Sequence, residues 1–159
     1  MEIIWIRFAT TAVFASATLL AVLPAKEANA EPGLRLGLGR TVFNSWATWG
    51  EVGYELPGGW ELAASITASG NTRNGHQGEV KAVSFSRIFR PQWHLFGATS
   101  YFRLGVAHAD GSALVGDNNF RLGLGLEWSA VQVEYFHYSS ARLSKPNTGI
   151  DGVQLRFAY

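Results

Sequence analysis

From residue 34 to the C-terminus the chain alternates apolar with polar or small residues, a period of two that belongs to strands. Eight strands can be drawn. The first, over 34–42, sets Leu34, Leu36 and Leu38 against Arg35, Gly37 and Gly39. The second sets Trp46, Val52, Tyr54 and Leu56 against Glu51, Gly53 and Glu55. Pro57-Gly58-Gly59 is a tight turn into the third, with Trp60, Leu62, Ala64 and Ile66 against Glu61, Ala63, Ser65 and Thr67. A polar loop over 69–78 leads to the fourth, about 79–89, whose parity is open: Val83, Phe85 and Phe89 favour one face, Val80, Ala82 and Ile88 the other. After the turn Arg90-Pro91-Gln92, the fifth sets Phe96, Phe102, Leu104 and Val106 against Thr99, Tyr101 and Arg103. A second long loop, 109–118, precedes the sixth, with Phe120, Leu122, Leu124, Leu126 and Trp128 against Arg121, Gly123, Gly125 and Glu127. Ser129-Ala130 turns into the seventh, with Val131, Val133 and Tyr135 against Gln132 and Glu134. The last long loop, 140–148, enters the eighth, with Val153, Leu155, Phe157 and Tyr159 against Gly152, Gln154 and Arg156.

These faces fit either a soluble sandwich, apolar side inward, or a closed barrel in lipid, apolar side outward. Three features favour the barrel. Short and long connections alternate along the chain. Aromatic residues recur near strand ends (Trp46, Trp60, Trp93, Trp128, Tyr159), where a membrane interface wants them. The chain also ends on a strand closing with Phe157-Ala158-Tyr159, which resembles the assembly signal of outer-membrane proteins. The expected fold is therefore all-β, an eight-stranded antiparallel transmembrane barrel of the outer-membrane type.

Composition agrees. Of 159 residues 47% are hydrophobic and only 16% charged, below the quarter usual in soluble domains. A net charge of +1 gives no nucleic-acid surface, and the absence of Cys excludes disulfides, a thiol nucleophile and thiolate-ligated metals. The first thirty residues read as a signal peptide. Arg7 flanks an uncharged run from Phe8 to Leu23, and Ala28-Asn29-Ala30 is a small-x-small cleavage site. That run is shorter than the roughly 20 residues a spanning helix needs. Cleavage after Ala30 leaves 31–159 as one domain, placed in the bacterial outer membrane.

The inward faces carry Arg35, Lys81, Arg103, Arg121 and Arg156 against Glu51, Glu55, Glu61, Glu127 and Glu134. Five of each sign neutralise one another in an interior about wide enough for side chains alone. This is a structural ion-pair network; a channel would want a ring of one sign.

The outward parity of strand seven continues to His137 and Ser139, and that of strand eight begins at Asp151. If His137 pairs with Asp151, all three share the lipid-facing side. Cross-strand neighbours have Cβ atoms about 5 Å apart, and residues at i and i+2 lie roughly 6.5 Å apart. One imidazole then reaches a hydroxyl and a carboxylate, the arrangement that activates a serine nucleophile. The bland alternative is that polar residues at a strand end simply meet headgroups. An exported N-terminus starts on the periplasmic side, so the loop after strand seven is extracellular and the trio faces the lipopolysaccharide leaflet.

Residues 137–151, from His137-Tyr138-Ser139 to Pro146-Asn147, Gly149-Ile150 and Asp151, resemble the C-terminal signature of the lipid A 3-O-deacylase family. That signature is H-Y-S-N at a strand end, then K-x-P-N-x-G-I-E. Residues 102–111 and 120–123 are similar more loosely. The resemblance implies an eight-stranded outer-membrane barrel with a Ser-His-Glu triad on its lipid-facing side. Ser139 would be the nucleophile and His137 the general base, with Asp151 standing where the family has Glu. Asn147 falls in the active-site loop, as an oxyanion donor or as a turn residue after Pro146. Ser140 and Arg142 depart from the motif's Asn and Gly; Arg142 and Lys145 face lipid phosphates or plain solvent.

The expected function is an outer-membrane serine esterase that removes the 3-O-linked acyl chain of lipid A, without metal or cofactor. The choice of the 3-position comes from the resemblance. Lipid A is the expected partner, with no nucleic acid; the oligomeric state, a homo-oligomer included, is open. The alternatives are a non-enzymatic small barrel, and a phospholipase or acyltransferase on the same scaffold.

Overall fold

A computed structural model describes residues 32–159; the expected signal peptide, 1–30, and its cleavage after Ala30 lie outside the described residues. Eleven strands follow one another: β1 (Gly33–Val42), β2 (Thr48–Leu56), β3 (Trp60–Thr67), β4 (Gly70–Thr72), β5 (Gly75–Gln77), β6 (Val80–Phe89), β7 (His94–Leu95), β8 (Ala98–Asp110), β9 (Asn118–Trp128), β10 (Val131–Ser139) and β11 (Ile150–Ala158). Eight of them, β1, β2, β3, β6, β8, β9, β10 and β11, pair antiparallel with their chain neighbours, and β11 pairs with β1. The ring of eight closes on itself, so none of its strands is left as an edge. β4 and β5 make a small hairpin inside what the sequence reads as a plain polar loop, and β7 is a two-residue addition beside β8.

The expected parities hold around the ring. Leu34, Leu36 and Leu38, Val52 and Tyr54, Leu62 and Ile66, Leu122 and Leu124, Val153 and Leu155 are all exposed on the outer wall. This apolar belt is the surface a transmembrane barrel presents to hydrocarbon. Three predicted wall residues stand outside the strands: Trp46 precedes β2, Phe96 lies in the turn before β8 with φ 51°, and Tyr159 follows β11.

β6 resolves the open parity and corrects one expectation. Val80, Ala82, Ser84, Ser86 and Ile88 are buried inside, while Val83 and Phe85 are exposed outside. Lys81 therefore points outward, with a side chain 73% exposed beside Glu79, and is not a lumen residue. Its place in the interior is taken by Arg90, which the sequence assigns to a turn. Arg90 reaches back into the barrel, 2.6 Å from Glu55 and 2.7 Å from Glu127.

The interior network has two parts. Near the short turns, Arg35 and Arg90 meet Glu55 and Glu127. Beyond them, Arg103, Arg121 and Arg156 interlock with Glu51, Glu61 and Glu134, every one of the six side chains 0% exposed. Toward the long loops the polar filling gives way to an apolar one. Trp49 lies against Phe136 with ring centroids 4.3 Å apart, and Tyr138, Val80, Ala109, Leu114 and Ile150 surround them. Gly152 makes room here, since a Cβ would lie 2.2 Å from the Phe136 ring. That apolar cap explains why β6 is ambiguous in sequence: at this end of the barrel both faces of a strand are apolar.

Candidate active site

The site sits where β10 and β11 meet, at the long-loop end of the barrel. On β10 the inward row is Gln132, Glu134, Phe136 and Tyr138, all buried. Their burial fixes the register, because a slip of one residue would turn the whole row outward. The opposite row, Tyr135, His137 and Ser139, is half-buried on the outer wall. β10 and β11 pair so that His137 faces Asp151, the pairing expected from parity, and the ladder ends one step later at Tyr138 and Ile150.

His137 Nδ1 lies 2.8 Å from Asp151 Oδ1. A carboxylate oxygen only accepts, so Nδ1 carries the hydrogen and Nε2 is left as the basic nitrogen. The imidazole is 31% exposed and the aspartate side chain 10%, so the carboxylate is sheltered while the ring keeps an open edge. Gly149 shapes that edge. It adopts φ 90°, a left-handed conformation that favours glycine, and a Cβ there would stand 2.9 Å from His137 Cε1.

Two further groups hold Asp151. The Tyr135 hydroxyl donates to Oδ1 at 2.5 Å, and Asn44 Nδ2 donates to Oδ2 at 3.2 Å. Neither was singled out from sequence. Tyr135 reads there as one more outward aromatic, although its position two residues before His137 on the same face is a usable signal. Asn44 lies 107 residues from Asp151, and no local pattern connects them.

Ser139 is on the same face, but its hydroxyl is turned the other way. It donates to Asn147 Oδ1 at 3.1 Å rather than to His137, and it accepts from the Ala141 backbone N–H at 3.2 Å. Asn147 Oδ1 also accepts from the Ser140 backbone N–H at 2.9 Å. Because that N–H must donate, it fixes the amide with its oxygen toward Ser139; the nitrogen that could serve an oxyanion faces away. Ala141 and Arg142 have φ 49° and 67°, a left-handed pair that turns the chain directly after Ser140.

The loop carrying Asn147 is tied down from several sides. Asn147 bridges to Val115, the Thr148 N–H donates to Leu114 at 2.7 Å, and Asn74 Nδ2 donates to Thr148 Oγ1 at 2.9 Å. Asn44 Nδ2 also reaches the Thr148 and Gly149 carbonyls at 3.1 and 3.2 Å. The three other connections at this end of the barrel, β1–β2, β3–β6 and β8–β9, thus grip the connection between β10 and β11. Among the described residues no group of three or more His, Cys, Asp or Glu side chains is placed to hold a metal ion.

The fold has a known counterpart. The chain is similar in fold to the crystal structure of the outer membrane enzyme PagL, with a TM-score of 0.56 and 21% identity over 78% of this chain and 96% of that one. It is also matched by the outer membrane protein Ail of Yersinia pestis, solved in a phospholipid bilayer nanodisc. There the TM-score is 0.46 and the identity 15%, over 81% of this chain and 100% of that one. No curated protein matches the sequence significantly. The family profile described as lipid A 3-O-deacylase (PagL) matches residues 33–159, the whole barrel, and the chain belongs to that family.

Proposed function

We propose that this protein is an outer-membrane serine esterase that hydrolyses the 3-O-linked acyl ester of lipid A in the outer leaflet. Its nucleophile is Ser139, its general base His137, and the group that orients and stabilises the imidazole is Asp151. The observation that carries this reading is the His137–Asp151 pair at 2.8 Å on the outer wall of a lipid A 3-O-deacylase family barrel, with Ser139 on the same strand face. A site on the outer wall suits a substrate whose ester lies within the membrane.

Rotation about the Ser139 side-chain bond brings its hydroxyl from Asn147 toward His137 Nε2. Ser139 Oγ then attacks the ester carbonyl carbon as its proton passes to Nε2. The oxyanion meets the Ala141 backbone N–H, which already points at Ser139 Oγ, and the Asn147 amide once it has turned. Collapse breaks the bond to the sugar oxygen, which leaves with the proton from Nε2. Water, deprotonated by the same nitrogen, cleaves the acyl-enzyme and frees a 3-hydroxy fatty acid. Asp151 differs from the family's glutamate by one methylene and keeps the carboxylate on Nδ1.

The test is the mass of lipid A from cells that express the protein. The expected result is loss of one 3-hydroxyacyl chain with the wild type and intact lipid A with Ser139→Ala. Unchanged lipid A with both, in cells where the barrel is folded, would favour a non-enzymatic barrel. Gain of an acyl chain would mark a transferase, and lysophospholipid with intact lipid A a phospholipase.

A further inference from the structure

The outward row of β10 carries one polar side chain beyond those the reaction above employs. Tyr135 pairs across the ladder with Val153, next on that face to the His137–Asp151 pair. Its hydroxyl reaches diagonally to Asp151 Oδ1 at 2.5 Å, the oxygen that also accepts from His137 Nδ1 at 2.8 Å. The other carboxylate oxygen accepts from Asn44 Nδ2 at 3.2 Å. Two donors from separate parts of the fold therefore grip the two oxygens of one carboxylate.

We propose that Tyr135 and Asn44 are positioning residues that hold Asp151 in line with His137, and that they do so because the carboxylate stands on a short arm. The proposal rests on the catalytic reading above. A carboxylate on the lipid-facing wall lacks bulk water and needs protein donors to satisfy its oxygens. An aspartate must also be brought up to the imidazole, since it reaches one methylene less far than a glutamate. The phenol on Oδ1 and the amide on Oδ2 fix the plane of the carboxylate and leave Oδ1 aimed at Nδ1. The barrel itself has no need of this hydroxyl, because Val131 and Val133 fill the same row. Asn44 adds a second constraint. It also donates to the Thr148 and Gly149 carbonyls, so one amide holds both the carboxylate and the chain entering β11.

The experiment compares wild type, Tyr135→Phe, Asp151→Glu and the Tyr135→Phe/Asp151→Glu pair, refolded in detergent and assayed on purified lipid A, with Ser139→Ala alongside. Tyr135→Phe should lower kcat about tenfold, as loss of one hydrogen bond to a charged group does, with KM and unfolding temperature unchanged. In the Asp151→Glu background, where the longer arm takes a different seat, the same change should cost less than about twofold. The His137 15N resonances of the resting protein give a readout that needs no turnover. They should show one Nδ1–H tautomer in the wild type and a mixture in Tyr135→Phe. Wild-type kcat in Tyr135→Phe, an equal loss in both backgrounds, or an unchanged His137 signature would overturn the proposal. Activity surviving in Ser139→Ala would instead overturn the catalytic reading, and the imidazole signature would still decide the role of Tyr135.

Discussion

The barrel holds carboxylates in two settings that differ in how they are satisfied. Inside, Glu51, Glu61 and Glu134 are wrapped by Arg103, Arg121 and Arg156 and have no exposure at all. On the outer wall, no guanidinium among the described residues is paired with Asp151; it is held by the hydroxyl of Tyr135, the amide of Asn44 and the ring of His137. The interior set is closed, since each charge is spent on another. The wall set is open at one point, the unengaged edge of the imidazole. Charge that cancels completely makes a scaffold, and charge held by neutral donors with one partner left accessible can do chemistry.

This contrast can be broken from either side. Ser139→Ala carries the largest expected effect: turnover falls about 10^4-fold or more, while unfolding in urea is unchanged because Ser139 fills no interior space. Arg103→Met should do the reverse. It leaves three buried glutamates with two arginines, and loss of one partner from a buried ionic cluster costs about 3–5 kcal/mol, read as a lower unfolding midpoint of the refolded barrel. Gly149→Ala tests the wall alone. A methyl group 2.9 Å from His137 Cε1, on backbone at φ 90°, displaces the ring. A misplaced catalytic group costs on the order of 10^2-fold in kcat. Lys81→Gln should be nearly silent, because an exposed pair such as Lys81 and Glu79 contributes at most about 1 kcal/mol. Were Lys81 a lumen residue, the same change would match Arg103→Met.

The sequence made the ring legible wherever one row of a strand is apolar and the other polar. β1, β3 and β10 are of this kind, and the inward burial of Arg35, Glu61 and Glu134 follows from it. It failed at β6, where Val80 and Ala82 fill the apolar cap from inside and Ile88 is buried near the short turns, while Val83 and Phe85 face outward. A period of two carries no information when both rows are apolar, and Lys81 was misplaced for that reason. Arg90 was hidden differently. It follows the last residue of β6 and precedes Pro91, so it reads as a turn, yet its side chain is long enough to return to Glu55. Within the site, the His137–Asp151 register was legible because β10 and β11 are neighbours in the chain. The grip of Asn44 on Asp151 was not, because closure of β1 against β11 brings it there and no local spacing records that. The orientation of Ser139 toward Asn147 depends on a backbone N–H, which sequence does not reveal.

The filled interior has one more consequence. With ten ionic side chains and an aromatic cap packed along its axis, the described barrel has no lumen for a solute to travel, and traffic to the proposed site would run sideways instead. On the proposed reading, a substrate anchored in the same leaflet would meet Ser139 by two-dimensional diffusion, already standing at a fixed depth and tilt. The released fatty acid would depart into the surrounding hydrocarbon by the route it came. An enzyme of that kind would need neither gate nor lid, and its encounter rate would be set by the fluidity of the layer around it.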